Sequence, residues 1–164
     1  ELRCTSRSAA NRDAFDAAVA PRLQVPRLTM TPTIDECVDG VNAVLMAIPT
    51  PEPIVGRAQL AHVGAVAVIA GDSRTRQLHP DVLEARPVVV DILEQAERSG
   101  EFRYAQEQNA RHRIKLARAD DGTVLTMGDA ANGRVPQAGG TAYLTGMAAQ
   151  DLCVAAMIYE EIRP

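Results

Sequence analysis

Three apolar runs limit what this chain can fold into. They are Val41 to Ile48 (VNAVLMAI), Ala65 to Ala70 (AVAVIA) and Pro87 to Asp91 (PVVVD). None follows the apolar–polar alternation of a strand with one wet face, so each reads as a strand buried on both faces, as in a parallel sheet. Parallel strands need crossover connections, and helical patterns lie between and around these runs.

Leu2 to Thr5 opens the chain as a further strand. The stretch from Ser8 to Asp13 offers an N-cap, followed by a helix to about Ala20 with Phe15 and Val19 facing inward, closed by Pro21 and Pro26. Arg27 to Thr31 is a short strand, and Thr33 caps a helix over Ile34 to Val38 that stops at Gly40. Val82 to Ala85, Ile92 to Arg98 and Phe102 to Arg118 are expected to be helical. Met147 to Ile162 forms an amphipathic helix with Leu152, Ala155, Ala156 and Tyr159 on one stripe. The alternation predicts an α/β fold, a doubly wound and mostly parallel sheet.

Composition removes several functions. The net charge is −4, and acids and bases are interspersed, so no basic patch invites nucleic acid, and aromatics for base stacking are scarce. The longest apolar stretch, Ala65 to Ala70, is far too short to span a bilayer, and no secretory signal opens the sequence. Cys4, Cys37 and Cys153 are widely spaced and odd in number, which predicts buried free thiols in a reducing cytoplasm. His62, His79 and His112 lie far apart without metal-ligand spacing and are expected at the surface, so no metal site is expected.

In a parallel α/β sheet, ligands bind beyond the carboxyl ends of the strands. Three such ends carry candidates. After the first strand comes Thr5-Ser6-Arg7-Ser8, with no acid until Asp13. A small hydroxyl followed by arginine suits the 2′-phosphate of NADP, whereas a solvated loop entering a helix has the same pattern. After Ala65 to Ala70 comes Gly71-Asp72-Ser73. Its carboxylate reads either as a cap on the next element or as a group that binds a substrate amine or moves its proton. Arg74 and Arg76 make this turn locally basic. Pro49 to Pro53 closes the third end as a stiff wall. The Gly-x-Gly-x-x-Gly turn that marks a dinucleotide site is absent, and Gly139-Gly140 reads as a flexible turn.

Five segments in order resemble the ornithine cyclodeaminase/mu-crystallin family: LRCTSRSAANRDAF, VDGVNAVLMAIPTPEPIV, HVGAVAVIAGDSRTRQLHP, VVVDILEQAERSGEF and TGMAAQDLCVAAMIYEEI. The fourth carries the pattern "Asp, then Gln-Ala, then Ser-Gly-Glu". The resemblance implies a Rossmann-like sheet that is incomplete, with the first strand and Gly-rich turn upstream of Glu1. It implies residues 1–118 as a partial dinucleotide-binding domain and 119–164 as a return segment and helix packing toward an N-terminal domain. It implies hydride transfer at NAD(P), with NADP(H) favoured over NAD(H), on a small amino-acid or imino-acid substrate, in a cytoplasmic enzyme that is a homodimer at full length.

By the same resemblance, Asp72 is the catalytic group and Arg76 helps to hold the cofactor. Val68, Ile69 and Ala70 line the nicotinamide side, and Ser6 and Arg7 meet the adenosine ribose or its phosphate. Ile48 stands at a cofactor-side position where threonine is common, and Leu144 where a serine is often found. The segment Arg134 to Thr145 is atypical. The expected activity is cyclodeamination of ornithine to proline and ammonia, or a related imino-acid reduction or amino-acid dehydrogenation. The alternatives are a mu-crystallin-like module that binds NADPH and a small ligand without turnover, and an inactive fragment.

Overall fold

The computed structural model describes residues 1–70, 72–134 and 139–163. Its elements run β1 (Leu2–Thr5), α1 (Ala9–Val19), β2 (Leu28–Thr31), α2 (Ile34–Val38), β3 (Ala43–Met46), β4 (Ala65–Ile69), α3 (Pro80–Ala85), β5 (Val88–Val90), α4 (Leu93–Ala96), α5 (Gly100–Glu107), α6 (Met127–Ala131), β6 (Thr141–Leu144) and α7 (Ala148–Ile162). The fold is α/β, and every paired strand is parallel to its neighbour. The strands form two sheets, β1-β2 and β3-β4-β6-β5.

The larger sheet holds the core. Its register aligns Met46, Val68, Tyr143 and Val90 in one row across all four strands. All four side chains are buried, and Val82 and Leu83 of α3 and Phe102 and Ala105 of α5 cluster with them. On the opposite face, Leu45, Ala67, Ala142 and Val89 form the adjacent row. Val89 is buried there, with Met127 and Ala130 of α6 in the same cluster, whereas Leu45 is 68% exposed and Ile69 51% exposed. Double-sided burial, expected for all three apolar runs, therefore holds only for β5. At β3 and β4 no helix among the described residues covers the second face.

The expected return segment, residues 119–164, contributes a strand to the larger sheet. Its strand β6 lies between β4 and β5 in the same sheet. The Gly139-Gly140 turn leads directly into it, and Gly140 O accepts a bond from Val66 N. Arg86 fixes this end of the sheet by donating to the carbonyls of Leu60, Val63 and Gly140. Burial lowers the pKa of its guanidinium.

The smaller sheet differs. Ser8 caps α1 as expected, its hydroxyl accepting from Asn11 N, but α1 buries nothing and Phe15 is 42% exposed rather than inward. Polar contacts tie this sheet to the larger one through α2. Arg3 donates to Asp39 O at 2.6 Å, Gln59 to Asp35 Oδ1 at 2.6 Å, and His62 Nε2 lies 2.9 Å from Val38 O.

Other expectations change in detail. Phe102 to Arg118 is helical only to Glu107; Asn109 then takes a left-handed φ of 54°, and a short 3₁₀ turn and extended chain follow. Cys4 and Cys37 are half-buried and Cys153 is exposed, so the thiols do not all pack as core. Helix α7 is exposed on all sides among the described residues, including the apolar stripe of Leu152, Ala155, Ala156 and Tyr159. Among the described residues no helix is long and apolar enough to cross a membrane.

Candidate functional site

Because β3, β4, β6 and β5 are parallel, their carboxyl ends share one edge of the sheet. Ile48 follows β3, Ala70 and Asp72 follow β4, Thr145 and Gly146 follow β6, and Asp91 follows β5. This edge collects several of the residues singled out in the sequence and several that were not. Gly71, of the expected Gly-Asp turn, lies outside the described residues.

Asp72 is held by its backbone and engaged by its side chain. Its carbonyl accepts from Thr75 N at 3.4 Å and Gly100 N at 3.2 Å. Its carboxylate accepts from Arg74 N at 2.8 Å, Arg74 Nε at 3.1 Å and Arg74 NH2 at 2.9 Å. The Arg74 side chain is the larger cause, and its backbone N–H the second, of an Asp72 pKa below the ordinary carboxylate value. The Arg74 pKa is raised in return.

The other candidates take up different surroundings. Val68 points its side chain into the core, Ile69 projects from the opposite face, and Ala70 N donates to Leu144 O at 2.7 Å. Ile48 N donates to the side-chain oxygen of Gln77. Arg76 has partners already: its guanidinium lies 4.2 Å from the Tyr104 ring centre and 2.6 Å from Glu52 Oε2. Ser6 and Arg7 stand at the end of β1 in the smaller sheet, where Ser6 O accepts from Arg12. Arg7 is exposed and makes no ion pair with the described residues. Among the described residues no group of three His, Cys, Asp or Glu side chains could hold a metal ion.

The sequence assigned no role to Gln77, Asp91, Glu101, Tyr143 or Thr145, yet these organise the edge. Asp91 accepts from Thr145 N at 2.7 Å, Thr145 Oγ1 at 2.8 Å and Gly146 N at 2.7 Å, pinning the turn between β6 and α7. Gln77, 3% exposed, donates from Nε2 to Ile69 O at 2.6 Å and accepts from Ile48 N at 2.9 Å, joining the ends of β3 and β4. The signal for two of these anchors, Asp91 and Glu101, was present in the segment VVVDILEQAERSGEF. Asp91 is its Asp, Gln95 approaches Thr145 Oγ1 at 3.3 Å, Ala96 is fully buried, and Ser99-Gly100-Glu101 lies beneath the Asp72 segment. Gly100 is required by space, since a Cβ there would sit 2.0 Å from Thr75 O.

Solved structures show the same fold. An archaeal alanine dehydrogenase dimer with bound NAD superposes with a TM-score of 0.73 at 21% identity, covering 96% of this chain and 48% of that one. A Thermococcus litoralis Δ1-pyrroline-2-carboxylate reductase, in complex with NADH and L-proline, gives 0.75 at 15% identity, covering 96% and 49%. A probable ornithine cyclodeaminase from Bordetella pertussis Tohama I gives 0.64 at 18% identity, covering 96% and 50%. The chain spans about half the length of each. No curated protein sequence matches it. The family model that describes ornithine cyclodeaminases and mu-crystallins matches residues 1–164 throughout, and the chain belongs to the ornithine cyclodeaminase/mu-crystallin family.

Proposed function

We propose that this chain is the cofactor-binding part of a nicotinamide-dependent enzyme. Its substrate is a small amino or imino acid, and its reaction is ornithine-type cyclodeamination or a related imino-acid reduction. The carrying observation is Asp72, an ionised carboxylate fixed through its backbone at the carboxyl end of β4. Family membership and the nicotinamide cofactors named for two of the solved relatives support the same reading.

The residues present fit such a cofactor. Arg7 is an exposed cation at the end of β1, close to the N-terminus of α1, with no ion-pair partner among the described residues, and suits an adenosine 2′-phosphate. NADP(H) is therefore the proposed cofactor, with Ser6 beside the ribose. The ends of β3 and β4, at Ile48 and from Val68 to Ala70, would border the nicotinamide. For Val68 this is a backbone role, since its side chain belongs to the core. Arg76 would contribute only by releasing Glu52. When bound, the nicotinamide accepts or donates hydride at the substrate's α-carbon. Asp72 would hold the cationic amine or iminium nitrogen in place. Its lowered pKa makes it a better counter-charge than a proton acceptor, because a strongly ionised carboxylate gives up little by staying so.

The full-length protein tests this. An amino-acid and imino-acid screen with NADPH and NADH, followed at the nicotinamide absorbance, should find turnover. Asp72→Asn should lower it by about 100-fold or more, a loss of the order expected when an oriented charge at the reacting centre is removed. Cofactor affinity should hold. Full activity in Asp72→Asn refutes the role given to this carboxylate. Tight NADPH binding without turnover on any substrate would instead identify a mu-crystallin-like binding module.

A further inference from the structure

The segment from Asp72 to Leu78 carries the proposed amine-binding carboxylate but has no helix or strand of its own, only a bridge pairing Leu78 with Val55. Unsupported backbone of this kind drifts, and drift of an ångström at a reacting centre is costly. The stretch 50–55 holds it on one side, through Arg76 N donating to Thr50 O and Val55 N donating to Gln77 O, and two further ties come from one turn, Ser99 to Glu101, at the start of α5. At the front of the segment Gly100 N donates to Asp72 O. At the back Glu101 Oε1 accepts from Gln77 N at 2.6 Å and from Leu78 N at 3.3 Å. Gly100 lets the backbones approach, for any side chain at that position would strike Thr75.

Glu101 is itself held from the sheet. Its Oε2 accepts from the Tyr143 hydroxyl at 2.5 Å, and that hydroxyl also lies 2.7 Å from Ser99 Oγ. Tyr143 is fully buried in β6, directly beside Val68 of β4. Burial first, and then the Glu101 charge, push the Tyr143 pKa up, so the phenol keeps its proton and remains a donor. Gln77 continues the network to Ile48 and Ile69. Glu101 is 6% exposed and forms no ion pair with the described residues. A buried carboxylate without a cation is expensive, and an apolar side chain would serve packing better.

We propose that Glu101 is a positioning residue: it fixes the Asp72 segment over the ends of β3 and β4, with Tyr143 as its anchor in the sheet and Gln77 carrying the tie on to Ile48 and Ile69. This rests on the reading of Asp72 given above. The network spends its polar contacts on the one stretch of backbone that the proposed chemistry needs immobile.

The test uses full-length protein carrying Glu101→Ala, Glu101→Gln or Tyr143→Phe. Amide hydrogen exchange is followed in residues 72–78 and, as a reference, in β5. Glu101→Ala and Tyr143→Phe should speed exchange in 72–78 by about tenfold or more with β5 unchanged. They should also lower kcat by roughly 10- to 100-fold while the cofactor Kd holds. Glu101→Gln should recover part of both losses, because its amide oxygen still accepts from the N–H groups of Gln77 and Leu78. Unchanged exchange in 72–78, or an equal rise in β5, overturns the proposal, the latter because the residue would then serve stability alone. Tyr143→Phe keeps the aromatic core and decides the matter if Glu101→Ala fails to fold. Absence of turnover in the unmodified protein overturns the catalytic reading of Asp72, whereas exchange alone reports on the tether.

Discussion

In the larger sheet Val66, Val68, Val88, Val90 and Tyr143 are at most 2% exposed and close on Phe102. In the smaller sheet Thr31 is the only buried strand residue, and Phe15 of its helix is nearly half exposed. The same strand–helix pattern therefore gives one sheet stabilised by its own packing and another held by arginine, glutamine and histidine contacts through α2. The first is a scaffold; the second presents polar groups at a strand end. Truncation of matched residues separates them. Phe102→Ala should cost about 3–5 kcal/mol, since it opens a cavity under Tyr143. Phe15→Ala should cost about 0.5 kcal/mol or less, as an exposed surface change. Urea unfolding measures both, and equal losses would erase the distinction.

That distinction also marks where the sequence was readable. Strand β5 was legible because both its faces are covered, so its VVV run matches its surroundings. Runs over β3 and β4 look the same in sequence, yet Leu45 and Ile69 lie on a face that none of the described residues covers. Hydrophobicity records what a position is suited to, not which partner supplies the cover. Strand β6 escaped notice because TAYL follows a double glycine and is only four residues long, and its place between β4 and β5 is a long-range fact. At the site, the end of the AVAVIA run pointed to Asp72. The supporting anchors could not be derived the same way, because Gln77 and Glu101 look like surface residues until a fold buries them.

If the smaller sheet presents charge rather than packing, its function should depend on single exposed cations. Arg7→Ala should weaken NADPH binding by about tenfold or more, the scale of one charge-assisted contact to phosphate, with little change for NADH. Titration of both cofactors against the full-length protein measures this. Equal affinities before and after the change would remove Arg7 from the adenosine site. Such a result would leave the larger sheet's role at Asp72 untouched.

The tether between the sheets is weaker. His62 Nε2 lies 3.1 Å from Gly40 N, which donates to it, and 2.9 Å from Val38 O. One neutral tautomer satisfies one of these neighbours, and the other tautomer the other. His62→Ala should cost about 1 kcal/mol, the usual net worth of one hydrogen bond. Exchange should quicken in β1 and β2 before it does in β4 and β6. A uniform change across both sheets would show that they unfold as one unit.

The smallest effect lies at the edge of the larger sheet. Arg74 lowers the Asp72 pKa through its side chain first and its backbone N–H second. A carboxyl with a depressed folded pKa keeps its favourable contacts above its ordinary pKa and loses them as pH falls through the lowered one. Turnover that needs ionised Asp72 should follow the same acid limb. Arg74→Gln removes the guanidinium contacts but leaves the backbone bond, so the limb should move up only part of the way toward the ordinary carboxylate range. Stability at neutral pH should hardly change, since this pair is exposed and solvent screens it. An acid limb that stays in place would mean either that a different group titrates or that substrate separates Arg74 from Asp72 before the chemical step. A pH profile of cofactor-saturated enzyme at low and at high substrate distinguishes the two, because only the second makes the limb depend on substrate.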